Sequence, residues 1–188
     1  MFHDPANFQF SKLLTAHWQA IRDEYLALPE DALDPWVQKD MYEKGWSVFG
    51  LFALGKRIQK ACYCCPQTTA ILEQIPNLTL AGFSRLAPHT HIQPHTGWAK
   101  NEFRLHLGLV VPEKCSLRVG QSLKHWQEGD CLIFEDTTEH EAWNDSDLPR
   151  AVLLLDFIKP GLEHSSDEIS GDALQYAMGL LEQPNTYV

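Results

Sequence analysis

The feature that most constrains the fold of this chain is a series of short β-type segments in its second half. Between residues 78 and 158, segments rich in aliphatic, β-branched and aromatic residues alternate with turn residues. The segments comprise residues 80–86, 103–111, 116–119, 131–134 and 151–158. Short strands separated by turns in this way predict an all-β sandwich or barrel.

Helical segments flank this β region. Between residues 11 and 28, apolar side chains recur every three or four positions, at Leu14, Trp18, Ile21, Tyr25 and Leu28. Ser11 is the expected N-cap of this helix, and Pro29 is expected to end it. Further helices are predicted over residues 66–74 and 172–181, the second ending at Gln183-Pro184-Asn185. We expect these helices to buttress the sheet.

Length, charge and the amino-terminal sequence restrict the classes of function. A chain of 188 residues suits one domain. The formal net charge of -10 repels nucleic-acid phosphates and anionic membranes, so nucleic acid is not an expected partner. Residues 1–10 lack the basic and apolar regions of a signal peptide, and residues 151–157, the longest apolar run, are too short to span a membrane. A cytoplasmic protein is therefore expected.

The cysteines do not predict a disulfide framework. Five cysteines in a chain without an export signal favour reduced thiols. The cluster of Cys62, Cys64 and Cys65 suggests zinc, but no second pair of ligands follows at zinc-finger spacing. The role of this cluster stays open.

The histidines of the β region are candidate metal ligands. His89, His91 and His95 lie in a segment bounded by prolines, which we interpret as a loop directly after a strand. His140 follows another predicted strand and is surrounded by carboxylates that could orient its ring. Loops at the ends of rigid strands often present functional residues. A single histidine on a strand is, however, more often a hydrogen-bonded structural residue.

Two arginines occupy predicted strand positions that face inward. In the strand from residue 103, alternation places Arg104 and His106 on the face opposite its leucines, and Arg150 begins the last strand. A buried arginine needs an anionic partner, which can be an internal carboxylate such as Asp136, Asp156 or Glu102, or a bound anion. The residues by themselves indicate a β-barrel metalloprotein that binds a small anion.

The order of these motifs resembles that of the aspartyl/asparaginyl β-hydroxylase family. The resemblance runs from about Trp46 to Phe157 and is carried by Pro94-His95-Thr96-Gly97, Arg104-Leu105-His106, Trp126, Gly129, Asp136, Glu139-His140-Glu141-Ala142-Trp143 and Arg150. It implies a mainly β fold, the double-stranded β-helix or cupin-like jelly-roll, with flanking N- and C-terminal helices. Residues 1–188 would be a single catalytic domain: a helical buttress and first strands (1–77), the double-stranded β-helix core (78–160) and a C-terminal helical tail (161–188).

The same resemblance implies an iron(II)- and 2-oxoglutarate-dependent dioxygenase that uses O2 to hydroxylate an unactivated carbon. The residues His95 and His140 match the iron ligands of the family. Gly97 stands where most oxygenases of this fold have a third ligand, a carboxylate, which this family also lacks. The resemblance assigns the cosubstrate contacts to Arg150 with Ser84 and to Arg104 with His106.

The substrate is less constrained. Trp46 matches a tryptophan of the family's substrate pocket, whereas Glu102 and Tyr42 fall where the animal enzymes have arginines that receive an acidic side chain. The expected substrate is a small molecule or a peptide. The candidates are an aspartyl- or asparaginyl-like residue of a peptide, a free amino acid and a small metabolite. The oligomeric state is not predicted.

Three alternatives stay open. The first is an acyl-chain (lipid) hydroxylase of the same family, for which the segment Phe49-Gly50-Leu51-Phe52 is a candidate membrane contact. The second is a non-catalytic cupin-like module that binds a dicarboxylate. The third is a cupin isomerase or phosphate-ester enzyme that uses His89 and His91 together with His95 and His140.

Overall fold

The structure is a computed structural model, which describes residues 1–97, 100–162 and 171–182. Its helices are α1 (Gln9–Leu26), α2 (Gln59–Cys64), α3 (Pro66–Leu72) and α4 (Gly171–Glu182). Its strands are β1 (Phe2–His3), β2 (Asp34–Pro35), β3 (Trp46–Ala53), β4 (Lys56–Arg57), β5 (Leu78–Leu86), β6 (Thr90–His95), β7 (Glu102–Val110), β8 (Cys115–Val119), β9 (Ser122–His125), β10 (Cys131–Phe134), β11 (His140–Asn144) and β12 (Arg150–Ile158).

Two antiparallel sheets form the body of the protein. The larger sheet has the strand order β1-β10-β7-β12-β5-β3-β2, with β4 paired to β3, and the smaller sheet has the order β6-β11-β8-β9. From β5 to β12 the chain passes back and forth between the two sheets, so that β5, β7, β10 and β12 oppose β6, β8, β9 and β11. This topology is a double-stranded β-helix, and the predicted fold class is confirmed.

The larger sheet has a different apolar core on each face. Behind the sheet, side chains of β7 such as Leu105 and Leu107 pack with Leu14 and Ile21 of α1, all of them 0% exposed. Between the sheets lies a second cluster that includes Phe134, Val152 and Leu117. Burial of one such side chain stabilises the fold by about 1.5–3 kcal/mol, so the helices and the barrel hold the sheet from both sides.

Most predicted elements are present. The five predicted strands are observed as β5, β7, β8, β10 and β12, and the predicted helices as α1, α3 and α4. Ser11 was wrong as a helix cap, because α1 begins at Gln9 and its N-cap position is Phe8. The end signal predicted at residues 183–185 lies outside the described residues. None of the described helices is long and apolar enough to cross a membrane.

The prediction of a loop around His95 was wrong. Residues Thr90–His95 form strand β6, which pairs with β11. Pro94 had suggested a loop because proline cannot donate a backbone hydrogen bond. Strand β6 lies at the edge of the smaller sheet, where one side of the backbone needs no partner, so the proline is tolerated.

Candidate active site

Strand pairing brings His95 and His140 together. His95 is the last residue of β6 and His140 the first of β11, and their Cα atoms are register partners. The centroids of the two rings lie 4.2 Å apart. Histidines 45 positions apart in the sequence, counting from 95 to 140, thus lie side by side at the end of two neighbouring strands.

Hydrogen bonds fix the tautomer of both rings. Nδ1 of His95 lies 2.8 Å from the carbonyl oxygen of Gln93, and Nδ1 of His140 lies 2.8 Å from that of Thr138. A carbonyl only accepts, so each Nδ1 carries the hydrogen and each Nε2 keeps its lone pair. Burial lowers the pKa of both rings, to about 3 for His140, where the positive charges of His95 and Arg104 add to the effect. Both imidazoles are therefore neutral, which is the form that binds metals.

A carboxylate occupies the space beside Gly97. A Cβ atom added at Gly97 would lie 1.5 Å from Oδ2 of Asp136, and Oδ1 of Asp136 lies 3.5 Å from Nε2 of His140. Within residues 1–97, 100–162 and 171–182, no group of three or more histidine, cysteine or acidic side chains is arranged to hold a metal ion. The chain therefore offers an ion two imidazole nitrogens, with the carboxylate of Asp136 next to them.

Arg104 is held by two internal carboxylates. Its Nε and one terminal nitrogen donate to the two oxygens of Asp156, both at 2.8 Å, and its other terminal nitrogen lies 2.6 Å from Oδ1 of Asp136. Burial by itself would lower the pKa of Arg104, but the two carboxylates outweigh this effect and the pKa is raised. Of the partners considered from the sequence, Asp136 and Asp156 are thus the ones observed.

Arg150 is buried without such a partner. Arg150 is 1% exposed, and its guanidinium carbon lies 4.5 Å from the centroid of the Trp126 ring. One terminal nitrogen lies 3.5 Å from the carbonyl oxygen of Ser84, and in the described part of the chain Nε has no hydrogen-bond partner. Burial lowers the pKa of Arg150 to about 10. A buried cation without an acid is costly, so this site is suited to receive an anion.

Two polar groups lie near Arg150 between the sheets, although Arg150 itself is not among the residues that line the neighbouring cavity. Neither ring nitrogen of His106 has a partner among the described residues, and burial together with the charge of Arg150 lowers its pKa well below the usual value. The Nε1 of Trp46 donates to the Ser84 hydroxyl at 3.1 Å. This part of the barrel therefore combines a cation that has no acidic partner among the described residues with neutral hydrogen-bonding groups.

The remaining predicted residues are distributed as follows. Glu102 is 9% exposed at the start of β7, and burial and the nearby Asp156 raise its pKa to about 7. The Tyr42 hydroxyl donates to the carbonyl oxygen of Trp36 at 2.6 Å and receives a hydrogen bond from Lys39 at 2.6 Å. The Tyr42 ring packs against that of Trp46, with 5.5 Å between centroids. Tyr42 and Trp46 thus belong to one aromatic group at the edge of the site.

The other histidines lie elsewhere. Nε2 of His89 contacts Asp147 at 3.0 Å, and Nε2 of His91 contacts Glu141 at 3.0 Å on the outer side of the smaller sheet. The four-histidine arrangement is therefore not assembled.

The cysteine cluster and the proposed membrane contact also do not form sites. Cys62 donates to the carbonyl oxygen of Leu51, Cys65 is buried and Cys64 is exposed, so these thiols do not face one point. Leu51 and Phe52 are buried in the core and are not available to a membrane.

Sequence analysis understated three residues of the site. Asp136 and Asp156 were considered only as alternative partners of the arginines, and Trp126 only as part of a motif. The signal for Asp136 was its position four residues before His140, close enough to reach the ring. Nothing in the sequence by itself pointed to the stacking of Trp126 on Arg150.

The fold and site define a class of protein: a double-stranded β-helix with two adjacent neutral imidazoles and a buried arginine that has no acidic partner among the described residues. The family described as Aspartyl/Asparaginyl beta-hydroxylase matches residues 15–160. The chain is 39% identical over 160 residues to the human aspartyl/asparaginyl beta-hydroxylase. The aligned region covers 80% of this chain and 21% of that protein. This chain therefore belongs to the aspartyl/asparaginyl β-hydroxylase family, as the sequence motifs predicted.

Two further comparisons concern a bacterial relative and a solved structure. The chain is 38% identical over 169 residues to the ornithine lipid ester-linked acyl 2-hydroxylase of Rhizobium tropici, covering 84% of this chain and 60% of that protein. It thus spans less than two thirds of either relative. Among solved structures, a predicted oxalate decarboxylase from Thermotoga maritima is 10% identical with a TM-score of 0.47, over 68% of this chain and 93% of that one.

Proposed function

We propose that this protein is an iron(II)- and 2-oxoglutarate-dependent oxygenase that hydroxylates an unactivated carbon. The observation that carries the proposal is Arg150, a buried guanidinium with no acidic partner in the described part of the chain, in the same barrel as two neutral imidazoles. A guanidinium can bind the distal carboxylate of 2-oxoglutarate through two parallel hydrogen bonds. Two imidazoles with open positions around them suit iron(II) in an oxygenase.

Each side chain of the site has a role in this proposal. His95 and His140 would hold the metal through Nε2, while the carbonyls of Gln93 and Thr138 fix the orientation of the rings. Arg150 and Ser84 would bind the far end of the cosubstrate. When bound, the metal and 2-oxoglutarate supply the oxygen chemistry: one atom of O2 enters the C–H bond of the substrate and the other enters succinate, with release of CO2.

The buried polar pairs position this arrangement. Arg104 already contacts Asp136 and Asp156, which orient its guanidinium. To contact the cosubstrate as well, Arg104 would have to share its donors between these acids and the cosubstrate. His106 is neutral at pH 7 because burial lowers its pKa, so it can donate a hydrogen bond to the cosubstrate without adding charge. The edge of Phe134 packs against the rings of His106 and His140 and shields them from water.

The substrate class is the finer part of the proposal. Membership of the family supports hydroxylation at the β-carbon of an aspartyl- or asparaginyl-like residue, of a free amino acid or of a small metabolite. The human and Rhizobium tropici relatives, at 39% and 38% identity, act according to their names on different chemical classes. Sequence similarity therefore favours neither a peptide nor an acyl chain.

Succinate formation tests the proposed activity. Purified protein with iron(II), 2-oxoglutarate and O2 is expected to form succinate, and His95→Ala and Arg150→Met are expected to lose this activity. His91→Ala is a matched control, because His91 lies on the outer face with Glu141. Retention of full activity in His95→Ala would contradict the proposal.

A binding module would behave differently. A non-catalytic module that senses a dicarboxylate would bind 2-oxoglutarate in a calorimetric titration but would not consume oxygen at any iron(II) concentration. The availability of Nε2 on both imidazoles favours the enzyme.

A further inference from the structure

A cavity of about 140 Å³ lies next to His95. Most of its lining is apolar, and the charged side chains that line it are those of Glu102, Arg104, Asp136 and Asp156. The alternation of β7 places Glu102 and Arg104 on the same face of the larger sheet, turned away from α1. A ligand that enters the cavity therefore meets these charged groups.

Acids outnumber bases in the lining of the cavity. Among the lining residues that the structure describes, Arg104 is the only arginine or lysine. It contacts both Asp136 and Asp156, so its one positive charge is already shared between two carboxylates. Glu102 is a third acid of the same lining. The cavity therefore has an excess of negative charge when its acids are ionised.

Glu102 is the lining acid that has no cation of its own. It is 9% exposed, and none of the ion pairs formed within residues 1–97, 100–162 and 171–182 involves it. The Thr79 hydroxyl favours the charged form of Glu102, but it has one hydrogen, which it donates to the carbonyl oxygen of Asp156 at 3.1 Å. A buried carboxylate without a cation is costly, and a cation that enters the cavity would offset this cost.

The expected cofactors do not supply this cation. Iron(II) has two positive charges and 2-oxoglutarate has two negative charges, so the two cancel when both are bound. Arg150, the other buried cation of the barrel, does not line the cavity. The negative charge of Glu102 is therefore left for the substrate to balance.

We propose that Glu102 selects a substrate with a side-chain ammonium or guanidinium group, which enters the cavity and pairs with the Glu102 carboxylate. The proposal deepens the proposed oxygenase function and rests on it for the reaction, whereas the pairing of charges needs neither iron(II) nor 2-oxoglutarate. The same carboxylate repels an acidic side chain, so it also acts against the wrong substrate. The cationic group is offered both by a free basic amino acid and by a basic residue of a peptide.

Calorimetric titration with two capped amino acids tests this pairing. N-acetyl-lysine N-methylamide and N-acetyl-norleucine N-methylamide differ only in the terminal ammonium group of the side chain. At pH 8 Glu102 is ionised, because its pKa is raised to about 7. The lysine ligand should then bind about tenfold more tightly than the norleucine ligand. Equal affinities of the two ligands, or no measurable binding of the lysine ligand, would overturn the proposal.

Glu102→Gln removes the charge and keeps the shape of the side chain. The lysine ligand should lose its advantage in this variant, while the norleucine ligand binds as it does to the wild type. Glu113→Gln is the matched control, because Glu113 is exposed and the change removes the same charge from the surface. A lysine preference that survives in Glu102→Gln would place the cation elsewhere and contradict the proposal.

Glu102→Lys reverses the charge at the same position. Because like charges repel, this variant should bind the lysine ligand less tightly than the norleucine ligand. A retained preference for the lysine ligand would count against Glu102 as the selecting residue. If Glu102→Lys does not fold, the result for Glu102→Gln decides.

Parallel measurements separate this proposal from the oxygenase activity. Titrations are made on the metal-free protein and, under anaerobic conditions, with iron(II) and 2-oxoglutarate, and succinate formation is measured separately with O2. A lysine preference that depends on Glu102, without succinate formation, would support the cation site and contradict the oxygenase. Succinate formation by a protein that does not distinguish the lysine ligand from the norleucine ligand would do the reverse.

A last arm distinguishes the two sources of the cation. Free L-lysine and L-norleucine replace the capped ligands in the same titrations. Tighter binding of free lysine than of the capped ligand identifies a free amino acid as the ligand. Tighter binding of the capped ligand identifies a residue within a peptide.

Discussion

The two arginines inside the barrel differ in their partners. Arg104, near the open end of the larger sheet, makes charged contacts with both Asp136 and Asp156, whereas Arg150, deeper between the sheets, contacts the Trp126 ring and a carbonyl. The pKa of Arg104 is raised by its two acids in spite of burial, and that of Arg150 is lowered to about 10 by burial without an acid. The structure thus satisfies the charge of Arg104 with two acids, whereas Arg150 has no acidic partner among the described residues.

This difference separates a positioning residue from a binding residue. Removal of a charge that is paired in the interior leaves its acids unpaired, which destabilises the fold. Removal of an unpaired charge relieves a desolvation cost, and the loss appears only when the anion is added. The same substitution at the two positions should therefore act in opposite directions on the free protein.

Arg104→Met should have the largest effect. It would leave Asp136 and Asp156 buried without a cation, and the free energy of unfolding should fall by about 3–5 kcal/mol. Urea denaturation at pH 7 measures this change. Arg57→Met is the control at an exposed arginine, which pairs with Glu73 at the surface and should change the free energy of unfolding by less than about 1 kcal/mol. A value for Arg104→Met as small as that of the control would remove the distinction between the two arginines.

Arg150→Met should reverse this result in the free protein. Without ligand, the variant should be at least as stable as the wild type, because the buried charge has been removed. At 2-oxoglutarate concentrations of about one hundred times the dissociation constant, the wild type should gain about 2.7 kcal/mol of stability. The variant should gain nothing, and thermal denaturation with and without 2-oxoglutarate measures both quantities. A stabilised variant with intact 2-oxoglutarate binding would place the anion site elsewhere.

Gly97→Ala tests the carboxylate that Arg104 holds in place. The added Cβ would clash with Oδ2 of Asp136, so this carboxylate, which contacts Arg104, must shift. We expect the free energy of unfolding to fall by about 2 kcal/mol, as overpacking of a rigid site does. Gly179→Ala is a control of opposite sign, because alanine in an exposed helix should stabilise by about 0.5–1 kcal/mol relative to glycine. Both values come from urea denaturation.

Much of the fold could be predicted from local patterns in the sequence. The alternation in β7 placed Arg104 and His106 opposite the leucines, and the structure has this arrangement. The proline before His95 led to the wrong prediction of a loop. Pro94 is acceptable in strand β6 because this strand lies at the edge of its sheet. Edge positions are a property of the assembled sheet and cannot be read from a local pattern.

The site was less predictable than the fold. The sequence nominated two inward arginines, but whether each meets an internal acid depends on strand register. Register pairs Asp156 with Arg104, whereas Arg150 is paired with Leu86. The cavity beside the imidazole pair was not anticipated at all, because its lining includes residues such as Gly50 and Leu180, which are far apart in the sequence and have no chemical signature.

The smallest predicted effect concerns Glu102 and depends on pH. Burial, with the charge of Asp156, raises the pKa of this carboxyl to about 7 in the folded protein from an ordinary value near 4.5. Between these pH values the folded state keeps a proton that the unfolded state has released, so stability falls as pH rises. Above pH 7 the cost of the buried charge is fully present, and below about pH 4.5 it is absent.

Glu102→Gln removes this titration. The variant should match the wild type at pH 4.5 and exceed it by on the order of 1 kcal/mol at pH 8, less than the full pKa shift implies because the group borders a cavity. The measurement is urea denaturation of both proteins across this range. Titrating groups that do not interact with Glu102 cancel in the difference, whereas Asp156, whose charge raises the pKa of Glu102, contributes to it. If the difference instead grew toward low pH, Glu102 would be a stabilising anion that neutralises Arg104, and the open end of the barrel would hold its charges in balance rather than in excess.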